Sequence, residues 1–209
     1  MKKYCLLLLL SSFWYPATAR RQEKEVLALL DSISQRNFQA TFTYSSRSPQ
    51  EPPEEISKGE ITVHGNQYRL TMQQQEIINN GQTIWTYLVE ANEVQITDYD
   101  SPQKATTPWN ILGNYRQDYT LGQFGTYRVE GHVCDVVELV SKDDGNDLCK
   151  IVLTIAHTTK HIQRLEILDS NQSLHTFSIT NFTYGLKLDK AFFNFNLDDY
   201  PNIEVIDMR

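Results

Sequence analysis

The sequence predicts a mainly β protein in which one antiparallel sheet, curved or nearly closed, carries helices on one face. From residue 38 onward, apolar and polar residues alternate in many short segments, which is the period of a half-buried strand. Turn residues separate these segments at hairpin spacing. Helical patterns occur only at residues 23–35, before these segments, and at residues 106–124, between them. About ten or eleven strands with two helical interruptions indicate one sheet with a helical layer.

The first interruption, residues 23–35, is predicted to be an amphipathic helix. Its apolar residues fall at positions i, i+3, i+4 and i+7, so they share one face. These residues are Val26, Leu29, Leu30 and Ile33. The stripe must pack on another element, and the sheet is the available surface.

The strands follow in the order expected of hairpins. The main segments are 41–44, 61–63, 68–72, 76–79, 83–89, 93–99, 126–131, 133–140, 148–155, 162–169 and 174–183, with a short closing segment at 192–195. Asn80-Gly81 is a strong hairpin signal because both residues tolerate positive φ. Residues 106–124 contain Pro108 and several apolar residues and are predicted to form one or two short helices.

The first nineteen residues have the three parts of a cleavable export signal. Lys2 and Lys3 precede a short apolar run, and residues 16–19 supply small residues at the cleavage position. The run is shorter than the roughly 20 residues that span a bilayer. Only four residues precede Cys5, which leaves no apolar region for lipid attachment there. We expect a signal at 1–19 and a single soluble domain at 20–209.

Charge and cysteine content narrow the possible partners. The net charge is −7 at pH 7, and no basic cluster interleaved with aromatic residues occurs, which argues against nucleic-acid binding.

Cys134 and Cys149 flank a predicted hairpin turn at 141–147. A turn centred near residue 144 would place their sulfurs roughly 17 Å apart at strand rise. A disulfide requires Cα atoms within about 7 Å, so it forms only if that register is wrong.

No enzyme signature is present in the sequence. It contains no GxSxG, Walker, GxGxxG, HExxH or paired CxxC motif. His157 and His161 lie in a predicted strand–turn–strand, where a spacing of four does not bring them to one face, so we expect no metal or cofactor. An envelope hydrolase would need a Ser or Thr nucleophile near His132 or His175, and no motif supports one. A binding function is favoured over catalysis.

Several strands are apolar on both faces. Ile84 and Leu88 oppose Trp85 and Tyr87, for example. A sheet with helices on one side buries one face against them, and a thin, separable helix layer would enclose a dry cavity for a hydrophobic ligand. Periodicity alone does not distinguish such a cavity from a filled core.

Several segments together form a recognisable pattern along the chain. The principal one runs from Tyr68-Arg69-Leu70 through Glu76-Ile77-Ile78-Asn79-Asn80-Gly81-Gln82-Thr83-Ile84-Trp85-Thr86-Tyr87 to Glu93-Val94-Gln95-Ile96. Together with segments 38–43, 107–112, 136–142 and 193–195, in the same order, it resembles the periplasmic outer-membrane lipoprotein carrier protein (LolA-like) family. The match covers essentially all of residues 20–209.

The resemblance implies an unclosed β half-barrel lidded by short helices, with an apolar cavity between them. It implies a monomeric periplasmic carrier that takes acylated lipoproteins from an inner-membrane ABC-type release complex and hands them to an outer-membrane acceptor. By matching position, Tyr68 would line the cavity and Leu112 would lie in the lid. The full set expected to line the lipid-binding cavity is Phe42, Tyr68, Leu70, Trp85, Tyr87 and Ile96. The expected lid residues are Leu30, Ile33, Trp109 and Leu112.

One departure from the family pattern concerns lid closure. Many members have Arg-Pro-Asn before the aromatic strand, and that arginine ties the sheet to the lid. This chain has His64-Gly65-Asn66 instead, and a neutral histidine lacks the five-donor fork of arginine. His64 is therefore the candidate for lid closure. The alternative function is a lipid- or lipoprotein-sensing protein, or another binder of hydrophobic ligands, with the same fold.

Overall fold

The computed structural model describes residues 17–35, 37–49, 56–99, 115–143 and 147–209. Twelve strands follow an N-terminal helix, α1, and residues 115–118 are also helical. Their bounds are α1 Ala17–Ser34, β1 Phe38–Arg47, β2 Ser57–His64, β3 Gln67–Met72, β4 Gln75–Asn79, β5 Thr83–Leu88, β6 Glu93–Asp98, β7 Tyr119–Val129, β8 His132–Ser141, β9 Leu148–Ala156, β10 Ile162–Asp169, β11 Leu174–Tyr184 and β12 Glu204–Asp207. Short 3-10 helices occupy Lys190–Phe193 and Leu197–Asp199.

All twelve strands form one open sheet, in the order β12-β6-β5-β4-β3-β2-β1-β11-β10-β9-β8-β7. Neighbours pair antiparallel except β12 and β6, which are parallel. Strands β12 and β7 lie at opposite edges and do not pair with each other, so the sheet is not closed. The predicted class, a mainly β protein with an unclosed sheet and helices, is confirmed.

The strand registers define two faces of the sheet. Directly opposed residues share a face, and successive residues of a strand alternate between faces. Phe38, Ala40 and Phe42 oppose Val63, Ile61 and Gly59. Apart from Gly59, these residues belong to the large buried cluster that also contains Leu30 and Ile33 of α1. We call this the helix face, and the opposite side the far face.

Helix α1 covers the helix face through its apolar stripe. Leu30 and Ile33 are 1% and 2% exposed, and Val26, Leu27 and Leu29 pack partly against the same cluster. The helix begins at Ala17, earlier than the predicted residue 23, and includes the end of the predicted signal. Within the described ranges, no helix combines the length and apolarity that crossing a membrane requires.

The far face of β3–β6 is covered by the C-terminal strap, which we define as residues 190–207. Tyr87 lies 4.6 Å from Tyr200 and 6.0 Å from Phe195 between ring centroids, and the Tyr200 hydroxyl donates to Glu76 at 2.8 Å. The strap ends as β12, whose Val205 pairs with Val94 at the edge of the sheet. It therefore buries a second, smaller apolar surface.

The helix predicted at residues 106–124 is confirmed only in part, and the strand predicted at 192–195 is wrong. Residues 115–118 are helical, and residues 106–114 lie outside the described residues. Residues 119–124 belong to β7, because Tyr119 pairs with Ser141 and Phe124 with Val137. Residues 192–195 do not form a strand. A 3-10 helix ends at Phe193, and its N-terminus is capped by Asp189, whose side chain accepts from the Ala191 backbone. The parallel strand β12 lies beyond both segments and was not predicted.

The predicted hairpins at residues 80–81 and 141–147 are both present. Gly81 has φ 90°, and Asn80 Oδ1 accepts from the backbone nitrogens of Gln82 and Thr83. Strand β8 ends at Ser141 and β9 begins at Leu148. Cys134 opposes Ala156, two residues beyond the partner that a turn centred at residue 144 would give it, and both Cys134 and Cys149 are thiols. The shift in register does not bring the two cysteines together.

Candidate functional site

Three of the six predicted cavity residues lie together on the helix face. Phe42, Tyr68 and Leu70 are 1%, 1% and 5% exposed. They belong to the cluster that contains Leu30 and Ile33, two of the predicted lid residues. The structure therefore brings these five residues into one interface between helix and sheet, where their side chains are buried.

The other three predicted cavity residues, Trp85, Tyr87 and Ile96, lie on the far face. Tyr68 opposes Asn79, and Asn79 opposes Ile84, so Ile84 is the residue of β5 that shares the helix face. Trp85 and Tyr87 alternate with Ile84, and Ile96 opposes Trp85. The six residues consequently do not share one surface. Only the register through β4 reveals this, since the period of each strand leaves the choice of face open.

His64 also lies away from the helix layer. Val63 opposes Tyr68 on the helix face, which places His64 on the far face. Its ring is 6.2 Å from that of Phe193 in the strap. A direct contact between His64 and α1 across the sheet is therefore excluded in this conformation. The other two predicted lid residues, Trp109 and Leu112, lie outside the described residues.

The polar tie between α1 and the rest of the protein is formed by residues that the sequence analysis missed. Arg116 binds both carboxylate oxygens of Asp31, with Nε–Oδ1 2.9 Å and Nη2–Oδ2 2.6 Å. The buried Tyr115 donates its hydroxyl to Asp31 at 2.7 Å and to the Leu27 carbonyl at 3.2 Å. We call Asp31, Tyr115 and Arg116 the helix latch. The signal in the sequence that could have indicated this contact is Asp31, a carboxylate beside the apolar stripe of the predicted helix.

Electrostatics of the latch follow from these contacts. The hydrogen bond from Arg116, and then that from Tyr115, lower the pKa of Asp31 to about 2. Burial, followed by the hydrogen bond to Asp31, raises the pKa of Tyr115. At neutral pH the latch therefore consists of a carboxylate, a guanidinium and a neutral phenol. Tyr115 and Arg116 therefore both donate to one ionised acceptor, the Asp31 carboxylate.

A cleft of about 360 Å³ remains between residues 22–29 of α1, strands β7 and β8, and the turn between β9 and β10. Val26 and Leu29 of the helix and Phe124 of β7 are among its apolar lining residues. This volume lies within the range of about 300–1,000 Å³ found for small-molecule pockets. The cleft adjoins the buried cluster, so displacement of α1 would extend it over the helix face.

One end of the cleft is polar. Asp135 accepts from Thr126 Oγ1 at 2.8 Å, from His157 Nδ1 at 2.7 Å and from Lys160 Nζ at 2.7 Å. Burial opposes ionisation of Asp135, but the hydrogen bonds from Lys160, His157 and Thr126 outweigh it and lower the pKa of this carboxyl. A charged group thus lies on the helix face at one end of the cleft, which Gln22 and Glu25 of α1 also line.

The histidines lack the arrangement that a hydrolase needs. His175 contacts the Tyr44 hydroxyl through Nδ1 at 2.9 Å and Asp169 through Nε2 at 3.2 Å, so both ring nitrogens are engaged. His132 lies on an exposed strand end. His157 and His161 flank the turn between β9 and β10, as predicted, and His161 stacks on Phe182. In the described part of the chain, no group of three or more His, Cys, Asp or Glu residues could hold a metal ion.

Comparisons with known proteins agree with this architecture. The family model of the outer membrane lipoprotein carrier protein LolA matches residues 34–196. No curated protein sequence matches the chain. A solved structure of an uncharacterized conserved protein from Thermus thermophilus is 14% identical with a TM-score of 0.57, and the alignment covers 89% of this chain and 99% of that one.

Two further solved structures are more distant. A LolA superfamily protein from Nitrosomonas europaea is 11% identical with a TM-score of 0.44, over 80% of this chain and 96% of its own. A putative outer membrane lipoprotein-sorting protein domain from Vibrio parahaemolyticus is 12% identical with a TM-score of 0.45, over 82% and 97%. The matched family consists of envelope proteins, generally non-enzymatic, whose fold suggests binding of hydrophobic ligands or lipoproteins. Because its model matches most of the sequence, the chain belongs to the family of the outer membrane lipoprotein carrier protein LolA.

Proposed function

We propose that this protein is a periplasmic carrier that binds the acyl chains of lipoproteins on its helix face and shuttles them from the inner to the outer membrane. The observation that carries the proposal is the way in which the apolar cluster is covered. Among the described residues, α1 provides most of the helical cover, Tyr115 adds to it, and a cleft already opens beside residues 22–29 of α1. Displacing α1 would expose the apolar side chains of the sheet beneath it.

The free energies involved are compatible with exchange between helix and ligand. Full burial of one large aliphatic side chain contributes about 1.5–3 kcal/mol, so Leu30 and Ile33 together contribute about 3–6 kcal/mol, and the partly buried side chains of α1 add to this. An acyl chain gains about 0.8 kcal/mol for each methylene that it removes from water. About eight buried methylenes would therefore offset the contribution of Leu30 and Ile33. A full acyl chain supplies more than that number.

The latch supports the same mechanism. Arg116 is 55% exposed at its side chain and Asp31 35%, so solvent can replace either partner when the helix moves. An exposed ion pair of this kind contributes up to about 1 kcal/mol, so it orients the closed helix and slows its opening only modestly. This role replaces the lid-closure role expected for His64, which lies on the other face.

The proposed cellular role is supported by the family and by the predicted export signal. We propose that residues 1–19 are removed on export and that 20–209 acts as one monomeric domain in the periplasm. It would receive lipoproteins from an inner-membrane ABC-type release complex and deliver them to an outer-membrane acceptor. An aqueous carrier is needed because a free acylated protein would have to expose its chains to water between the two membranes. The activity is binding and release, without catalysis.

Native mass spectrometry of protein purified from the periplasm tests the proposal. Wild type should carry lipoprotein or acylated lipid. Leu29→Glu places a charge in the cleft and should remove the bound species, because burying a carboxylate beside acyl chains is strongly unfavourable. Leu197→Glu is the matched control, since the same substitution lies in an exposed 3-10 helix under the other face.

Ligand-free wild type in repeated preparations would overturn the proposal. Bound lipid without any lipoprotein would identify a binder of other hydrophobic ligands, which is the alternative function. Equal occupancy in wild type and Leu29→Glu would show that the ligand lies elsewhere than in the cleft.

A further inference from the structure

The polar end of the cleft contains a charged group, the Asp135 carboxylate, at a position whose neighbours on the same face of the sheet are apolar and buried. Asp135 opposes Ile155 across the β8–β9 pairing, and Val137 follows two residues later on the same face. Both of these neighbours are 0% exposed, and the Asp135 side chain is only 13% exposed. Replacing such an ion pair by apolar residues is often neutral or stabilising, so folding alone does not explain its presence.

Asp135 fixes the position of a donor that faces the cleft. Lys160 Nζ lies 2.7 Å from Asp135 Oδ2, and Lys160 lines the cleft while its side chain remains 41% exposed. An ammonium has three N–H donors, and the bond to Asp135 uses one of them. His157 and Thr126 both bond to Oδ1 of the same carboxylate and hold it in place. Lys160 can therefore donate to a ligand without leaving Asp135.

The charges of the lining residues restrict the chemistry of that ligand. Glu25 on α1 and Asp135 on β8 are acidic, whereas Lys160 is the one lining residue that is always cationic at neutral pH. His157 adds a positive charge only when protonated. A ligand carboxylate or phosphate would add further negative charge beside two carboxylates. A neutral carbonyl oxygen accepts from Lys160 without that repulsion.

We propose that this end of the cleft, formed by Lys160 together with Asp135 and His157, is a subsite for the neutral ester or amide carbonyl at the head of an acyl chain. The inference rests on the proposed function and names the part of the ligand that is recognised. The apolar chain lies along Val26, Leu29 and Phe124, and its carbonyl meets Lys160 at the mouth. The subsite sets the depth and direction in which a chain enters.

The test compares two lipids that differ only in this carbonyl. Binding of lauroylglycerol, an ester, and of dodecylglycerol ether, which lacks the carbonyl, is measured by displacement of a fluorescent fatty probe below the lipids' aggregation concentrations. Wild type should bind the ester about tenfold more tightly, the effect of one charge-assisted hydrogen bond. Lys160→Met should bind the two lipids equally. Laurate should bind wild type more weakly than the ester.

Lys150→Met is the matched control. Lys150 is also 41% exposed and pairs with a carboxylate, Glu138, at 3.2 Å, but it opposes Val140 on the far face. This variant should keep the preference for the ester. Equal binding of ester and ether by wild type, or tighter binding of laurate than of the ester, would overturn the proposed subsite. A preference for the ester that is retained in Lys160→Met, or lost in Lys150→Met, would overturn it as well. Failure of folded wild type to bind any of these chains would instead contradict the proposed function.

Discussion

Arg116 contacts both carboxylate oxygens of Asp31, at 2.9 Å and 2.6 Å, and thereby ties helix α1 to the residues just before β7. The tie matters because α1 provides most of the described helical cover over the apolar helix face. The apolar contacts of its stripe with the sheet have no preferred direction. The ion pair therefore supplies the orientation with which the helix closes.

Asp31→Asn should loosen the helix. The amide keeps its size but loses the negative charge that both Arg116 and Tyr115 bind. We expect a decrease in Tm of about 2–4 °C and faster amide hydrogen exchange in α1 than in β9. Uptake of an acyl probe should also be faster, because opening precedes entry.

Asp207→Asn provides the control for this variant. Asp207 has the same two-point geometry with Arg209, at 2.9 Å and 2.6 Å, but lies beyond α1 at the end of β12. Its substitution should leave exchange in α1 unchanged. Equal protection of α1 in wild type and Asp31→Asn would show that the latch does not hold the helix.

The latch should weaken in acid. Since the pKa of Asp31 is about 2 in the folded protein, against an ordinary value of 3.8, folding favours its ionised form. The resulting stabilisation is complete above about pH 4 and is lost as the pH falls towards 2. The Tm difference between wild type and Asp31→Asn should shrink over that range, while Asp207, present in both proteins, cancels. A difference that stays constant from pH 5 to about pH 2 would contradict this assignment.

Gly59→Ala should destabilise the core. A methyl group at Gly59 would lie 2.5 Å from Phe42 Cζ, and Phe42 is only 1% exposed, so its ring has little room to move. Overpacking of this kind costs about 1–3 kcal/mol in the free energy of unfolding, which urea denaturation measures. The double variant Gly59→Ala, Phe42→Leu should lose less stability than the sum of the two single variants. Strict additivity would mean that the ring avoids the new methyl by another route.

Tyr200 should anchor the strap through two separable interactions. Tyr200→Phe removes only the hydrogen bond to Glu76 and should cost about 1.5–3 kcal/mol, the range for a bond to a charged group. Tyr200→Ala also removes the stacking on Phe195 at 4.5 Å and the contact with Tyr87, so its cost should be larger. Amide exchange in β12 should rise in both variants. Tyr127→Ala, at an exposed position, is the control and should change stability little.

Half of the predicted cavity set was brought together by the fold and half was not, for one physical reason. Alternation assigns Trp85 and Tyr87 to one face of β5 and Ile84 to the other, without stating which of them meets Tyr68. That choice depends on the number of residues in the turns on either side of β4, because a shift of one residue reverses every side chain. For the same reason, the register of β2 with β3 decides that His64 lies on the far face.

The sequence by itself determined the class of fold, the covering helix, the hairpins and the family, because each depends on local periodicity, turn chemistry or motif order. The tertiary structure decided which face each strand presents, the two-point tie between Asp31 and Arg116, and the parallel pairing of β12 with β6. These features join residues far apart in the chain, such as Val94 and Val205, and no local pattern encodes their meeting. The polar end of the cleft belongs to the same group, since Asp135 and Lys160 become neighbours only through the register of β8 and β9.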